Sequence, residues 1–240
     1  MVSPRPLWHD RRTAGLALAC RLKDLEGCAA GATLVALPRG GVPVAAAMAE
    51  RLHLPLVTWA VRKIALPWAP EVAVGAIAPG GVTLRADDQP DDRRSEASTA
   101  LRQDMEREER QELERRRRCF GDPPAAALTG RRLIVVDDGI ATGMTTRAAL
   151  RSLRLTQPAS LILAVPVVDR RLLDTLGGLV ERLEVLQAVP DLRAVGQWYE
   201  RFEPLEDGEV LRLLEQARRW AALPTGGDQG EGSARQVPST

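Results

Sequence analysis

Apolar positions along the chain fall into short unbroken runs, separated by stretches of helical spacing. Thr33–Leu37, Leu56–Val61, Leu133–Val136, Leu161–Val167 and Val180–Val189 read as strands. Strands that are apolar at successive positions are buried on both faces, the mark of a parallel sheet covered by helices. Between them lie segments of 3.6-residue period. Leu16, Ala19, Leu22 and Leu25 mark a first helix within residues 10–26, and an Ala-rich run forms a second through about Leu52. Thr146–Leu150 opens a third, and Val210, Leu211, Leu214 and Ala217 line a last one within 207–222. Strand, helix and strand in succession imply right-handed crossovers between parallel neighbours. Pro67-Trp68-Ala69-Pro70 imposes an irregular loop, and two β-like runs, Val72–Ala78 and Val82–Leu84, follow it. Residues 87–92 read as a linker. A charged helix over about 93–118 then carries a thin stripe of Ala97, Leu101, Met105 and Leu113 until Pro123-Pro124 ends it. The fold class is therefore α/β.

Composition narrows the picture. A chain of 240 residues, 45% hydrophobic, buries a sizeable core. A formal net charge of +1 leaves no global field to recruit nucleic acid or a membrane surface. No apolar run approaches the roughly 18 residues of a membrane span, and Met1–Pro6 lacks an apolar signal core, so a cytoplasmic protein is expected. Cys20, Cys28 and Cys119 are odd in number and lack metal-ligand spacing, which fits reduced thiols. His9 and His53 show no partner spacing. The tail 223–240, rich in Gly, Ser and polar residues, is expected to be disordered.

The chemistry concentrates in Leu133-Ile134-Val135-Val136-Asp137-Asp138-Gly139-Ile140-Ala141-Thr142-Gly143-Met144-Thr145-Thr146. Two carboxylates close a buried strand, and a small, hydroxyl-rich turn opens a helix. Such a turn presents unpaired backbone N–H groups and Thr hydroxyls, a pocket for a phosphate dianion. The carboxylates suit vicinal hydroxyls or a hydrated Mg²⁺. Sugar hydroxyls beside a phosphate describe a ribose 5-phosphate. A plain strand, turn and capped helix is the alternative for an isolated Asp-Asp-Gly. Leu37-Pro38-Arg39-Gly40-Gly41 also follows a strand, with glycines that let the backbone approach an anion and an Arg to neutralise it. Val61-Arg62-Lys63-Ile64 places one of only two lysines beside an Arg at a strand end.

The complete 133–146 pattern resembles the 5-phosphoribosyl-1-diphosphate (PRPP) motif of type I phosphoribosyltransferases. The other two motifs resemble that family's pyrophosphate loop and the Arg-Lys that opens its catalytic loop. The resemblance spans roughly Thr33–Leu153 and extends to bacterial phosphoribosyltransferase-like proteins with Leu-Pro-Arg-Gly-Gly and a Pro-Glu element, here Pro70-Glu71, with Ala69 where Asn is usual. It implies a parallel sheet flanked by helices as a single domain over 1–222, its core at about 31–170 and a small hood from 1–30 and about 171–222. It implies a transferase that moves 5-phosphoribosyl from PRPP to a nitrogenous acceptor and releases pyrophosphate. By the same resemblance Asp137 and Asp138 hold the ribose, and Gly139, Ala141, Thr142, Gly143, Met144, Thr145 and Thr146 the 5-phosphate. Arg39, Gly40, Gly41, Arg62 and Lys63 hold the pyrophosphate, with Lys63, Arg39 and Asp138 as the catalytic set. Mg²⁺ is the implied cofactor, reached by Asp137 and Asp138 indirectly, and a homodimer is expected. Ala141 stands where 6-oxopurine enzymes carry an Asp, which argues against hypoxanthine or guanine.

Several readings stay open at this level. Glu71 is either functional or an exposed loop acid. Trp198, Tyr199 and Phe202, near Pro190, either stack on a base or pack the C-terminal segment onto the core. Arg115–Arg118 suggest nucleic acid contacts, but the preceding glutamates favour a solvated or dimer-facing helix through Glu112–Arg116 and Glu114–Arg118 pairs. The rivals to transfer are a PRPP-sensing, nucleic-acid-binding regulator and a phosphorylase or hydrolase of phosphoribosyl compounds.

Overall fold

The computed structural model describes residues 5–28, 31–66, 69–85 and 96–221. In chain order these form α1 (Arg11–Arg21), β1 (Ala32–Ala36), α2 (Gly41–Leu52), β2 (Leu56–Thr58) and β3 (Arg62–Leu66). Then come β4 (Ala69–Ala78), β5 (Val82–Arg85), α3 (Glu96–Phe120), β6 (Arg132–Val136) and α4 (Met144–Arg154). The chain closes with β7 (Ser160–Asp169), α5 (Leu173–Gly177), β8 (Arg182–Val189) and α6 (Asp207–Ala221). Five strands make a parallel sheet in the order β2-β1-β6-β7-β8, and β3-β4-β5 make a smaller antiparallel sheet. Among the described residues no helix is long and apolar enough to cross a membrane.

The unbroken apolar runs bury both faces of the large sheet. Leu34, Ala36, Ile134, Val136, Ile162 and Ala164 face a core shared with α1, α2 and α6. Val35, Leu133, Val135, Leu161, Leu163 and Val165 face the opposite one, shared with α4 and the small sheet. Alternate residues of one strand thus enter different cores, as the period of two requires.

Element ends differ from the periodic pattern for identifiable reasons. The helix expected over 10–26 is capped by the Asp10 carboxylate on the Thr13 N–H (2.7 Å) and stops at Arg21. A 3₁₀ turn, Lys23–Leu25, then carries the stripe on, so Leu22 and Leu25 remain buried. The strand expected through Val61 ends at Thr58, because the Asp122 carboxylate takes the Ala60 N–H (2.7 Å) and turns the chain into β3. Arg62-Lys63 therefore lies within a strand, not at the mouth of a loop. Ala69-Pro70, expected in that loop, begins β4. Residues 67–68, the expected linker 87–92 and the tail from 222 lie outside the described residues. The charged helix continues to Phe120 and stops at Gly121, whose φ of 71° favours a residue without a Cβ. Within it Glu114 pairs with Arg117 rather than Arg118.

A buried relay fixes the small sheet to α4. The indole Nε1 of Trp59 donates to Ser152 Oγ (3.0 Å), which donates to the Pro79 carbonyl (2.6 Å). Ser152→Ala is expected to destabilise the protein by about 1–3 kcal/mol in urea unfolding, since the Trp59 N–H is left buried without a partner. Unchanged stability would show that water replaces the hydroxyl.

Candidate active site

The strand order reverses direction between β1 and β6. From β1 the chain crosses through α2 to β2 on one side, and from β6 through α4 to β7 on the other. Because α2 and α4 pack against opposite faces, the two loops that leave β1 and β6 part around a crevice at the carboxyl ends of the strands. The Leu37 N–H donates to the Val136 carbonyl (2.9 Å), which keeps the loops side by side.

Two glycines allow that approach. A Cβ on Gly41 would overlap the Val136 carbonyl oxygen, and one on Gly40 would overlap Asp138 Oδ2. Arg39 precedes them across a cis peptide bond from Pro38. Asp137 and Asp138 follow β6 directly and are half-buried, with the Asp138 N–H donating to Asp137 Oδ1 (2.9 Å). Burial and the neighbouring Asp138 charge push the Asp137 carboxyl well above the usual carboxylate range. Burial raises Asp138 as well, opposed by the Arg11 guanidinium.

Arg11 is the residue that sequence reasoning missed. Its Nε donates to Asp138 Oδ2 (2.8 Å), an Nη donates to the Glu203 carbonyl (3.1 Å), and the guanidinium lies 3.6 Å from the centre of the Phe202 ring. The Tyr199 hydroxyl donates to the Asp138 carbonyl (2.6 Å), and burial together with the Asp138 charge pushes its pKa up. Trp8 bridges Tyr199 in parallel, and their rings lie 5.6 Å apart. Residues from both ends of the described chain thus form one cover over Asp138. Tyr199 is 4% exposed, so its ring packs the C-terminal segment onto the core. No local pattern announces Arg11, because 127 residues separate it from Asp138.

The turn after Asp138 is pinned to β7: the Ile140 N–H donates to the Val167 carbonyl (2.9 Å), and the Ile140 carbonyl accepts from Asp169 N (2.9 Å). Gly139 lies beneath Val195 and Val167, where a Cβ would come within 2.8 Å of both. Gly143 closes the turn with φ of 71°, a left-handed conformation that favours glycine. It caps α4, which starts two residues earlier than expected, and no side chain caps that helix. Its first N–H groups are therefore open to an anion, with Thr145 half-buried and Thr146 buried beside them. Ala141 packs on the apolar cluster of Val167, Val189 and Leu192 under Trp8 and Trp198. An Asp there would place a carboxylate in apolar surroundings.

The cations are distributed over three elements. Arg39 lies on the first loop and faces Asp207 at the start of α6 (3.7 Å). Arg62, in β3, pairs with Glu109 of α3 (2.6 Å), and Lys63 beside it is half-buried. The structure thus joins Gly40, Gly41, Asp137, Asp138 and the 139–146 turn in one crevice, whereas Arg62 is held toward α3. Glu71 lies in β4, with its side chain outside the described residues. Among the described residues no three His, Cys, Asp or Glu side chains converge on a metal position. The adjacent Asp137 and Asp138 still fit Mg²⁺ in the manner usual for that ion, through one or two carboxylates, water and substrate oxygens.

Known proteins resemble this chain in sequence and fold. The family model described as "Phosphoribosyl transferase domain" matches residues 29–174. Two Mycobacterium tuberculosis proteins are each 38% identical over 214 residues, 89% of this chain. They are "Putative phosphoribosyl transferase Rv0571c" of strain H37Rv and "Putative phosphoribosyl transferase MT0597" of strain CDC 1551. The chain spans about half the length of these curated relatives, 47% of each. The crystal structure of TT1426 from Thermus thermophilus is 34% identical, with a TM-score of 0.66, and the match covers 89% of this chain and 99% of that one.

Proposed function

Since the chain belongs to the phosphoribosyltransferase family, we propose that it transfers 5-phosphoribosyl from PRPP to a ring nitrogen of a base-like acceptor and releases pyrophosphate. One observation carries this reading. The paired carboxylates, the uncapped start of α4 and the glycine-cleared loop of Arg39 line a single crevice at the point where the strand order reverses.

The roles are those the family resemblance implies, and the geometry of the crevice supports them. Asp137 and Asp138 accept hydrogen bonds from the ribose hydroxyls, and Arg11 favours the charged form of Asp138 against its burial and fixes it in place. Backbone N–H groups from Ala141 to Thr146, with the Thr hydroxyls, hold the 5-phosphate. Arg39 faces the diphosphate with the Gly40-Gly41 backbone beside it, whose Gly41 N–H donates to the Leu37 carbonyl and holds the loop, assisted by Lys63 and Arg62. The acceptor nitrogen forms a bond to C1 as the C1–O bond breaks, and the electron pair leaves on pyrophosphate. Charge develops on the leaving group, so positioned cations and positioning of the reactants supply the catalysis, with no covalent nucleophile. Mg²⁺ bound through Asp137, Asp138 and PRPP would supply neutralising charge for the diphosphate.

The test mixes protein, Mg²⁺ and PRPP with a panel of purine, pyrimidine and pyridine bases and follows pyrophosphate. Release that depends on one base establishes transfer. A folded protein that binds PRPP and releases nothing with any base supports the regulator instead. Asp138→Asn is expected to weaken PRPP binding about tenfold or more in calorimetry, which is about 1.4 kcal/mol, with the fold retained. Unchanged affinity would remove Asp138 from the site.

A further inference from the structure

A seam of alternating charge runs from the Arg39 loop onto α3. Asp207 pairs with Arg39 through Oδ1 (3.7 Å) and accepts from Arg115 on Oδ2 (3.3 Å). Glu112 accepts Arg115 (2.6 Å) and Arg116 (2.9 Å), and Glu109 accepts Arg62 (2.6 Å). Glu109, Glu112 and Arg116 recur at helical spacing on the side of α3 that buries Leu113, so Arg116 is drawn in and only 13% exposed.

We propose that the pyrophosphate subsite extends onto α3, with Arg115 and Arg116 binding the diphosphate of PRPP together with Arg39 and Arg62. The inference rests on the phosphoribosyltransferase reading above. Among the described ion pairs of this seam four guanidinium groups share three carboxylates, an excess of one positive charge where the Arg39 loop meets α3. Burial and the like charges of Arg62 and Arg39 lower the pKa of Arg116, opposed by Glu112, which shows how closely the cations are gathered. The Arg39 and Arg115 pairs are a third to a half exposed and add little to stability, so holding α3 in place does not account for these two cations. A guanidinium bound to a carboxylate presents the same planar donor fork that phosphate oxygens accept, so each pair can exchange its partner for a diphosphate oxygen.

Calorimetry on the full chain decides it, using PRPP, inorganic pyrophosphate and ribose 5-phosphate as separate probes with Mg²⁺ present. The double variant Arg115→Gln, Arg116→Gln is expected to bind PRPP and pyrophosphate at least tenfold more weakly, and ribose 5-phosphate as the wild type does. Equal weakening for all three probes, or none, overturns the proposal. Asp207→Asn leaves α3 intact and removes a competing carboxylate, so it is expected to tighten pyrophosphate binding at least twofold; unchanged or weaker binding counts against the subsite. A wild-type protein that does not bind PRPP overturns the phosphoribosyltransferase reading itself, whereas a binding wild type with an indifferent double variant removes α3 alone.

Discussion

Asp137→Asn is expected to raise the melting temperature of the ligand-free protein while weakening PRPP binding by about tenfold or more. In the unfolded chain an Asp carboxyl titrates near 3.9, and in the folded protein burial and Asp138 hold it well above that. Between the two values the folded state keeps a proton that the unfolded state has lost, so stability falls as pH rises through that window. Above the folded value the full penalty remains. Asparagine has no proton to lose, and its carbonyl oxygen still accepts from the Asp138 N–H. The variant is therefore more stable at neutral pH, and its melting temperature depends less on pH above about 4. Thermal melts at several pH values and PRPP calorimetry are the measurements. A lower melting temperature at neutral pH would mean that the Asp137 charge is compensated in the free protein. The opposed signs would mark a group retained for its ligand at the expense of the fold.

Gly41→Ala is expected to lower stability by about 2–4 kcal/mol, among the larger effects of a single methyl group. Its Cβ meets backbone: it would overlap the Val136 carbonyl oxygen and lie 3.0 Å from Asp137 Cα. Neither moves without shifting β6 against β1. The adjacent Gly40→Ala differs in kind, because its Cβ meets the Asp138 carboxylate, which can rotate away at the expense of its Arg11 ion pair. That variant is expected to lose PRPP affinity with a smaller loss of stability. Denaturant unfolding of both, with calorimetry on the second, separates the two outcomes. Wild-type stability in Gly41→Ala would show that the loops do not approach this closely.

The central sheet was legible because β1, β6 and β7 carry apolar residues at successive positions, a pattern that depends on near neighbours in the chain. The acid pair and the turn to α4 were legible for the same reason, since all the chemistry lies within 133–146. What escaped is set by distant residues. Strand β2 ends where Asp122 takes the Ala60 N–H, 62 residues away. Arg62-Lys63 reads as a strand end until β4 pairs with it and makes it part of a second sheet. Arg11 on Asp138 and Asp207 on Arg39 are long-range ion pairs, and a charged residue carries no periodicity that would name its partner. The roles of the individual site residues came from resemblance rather than spacing, and calorimetry on the variants above is their test.

The cover over Asp138 also constrains the order in which the molecule is completed on the ribosome. Arg11 and Trp8 are made early and Asp138 midway, whereas Tyr199, Phe202 and Glu203 emerge only after the last strand, which ends at Val189. All five strands of the large sheet precede in the chain the segment that closes over the acid. The segment after Val189 therefore carries two tasks at once: Tyr199, Phe202 and Glu203 close the acidic crevice, and α6 covers one face of the sheet.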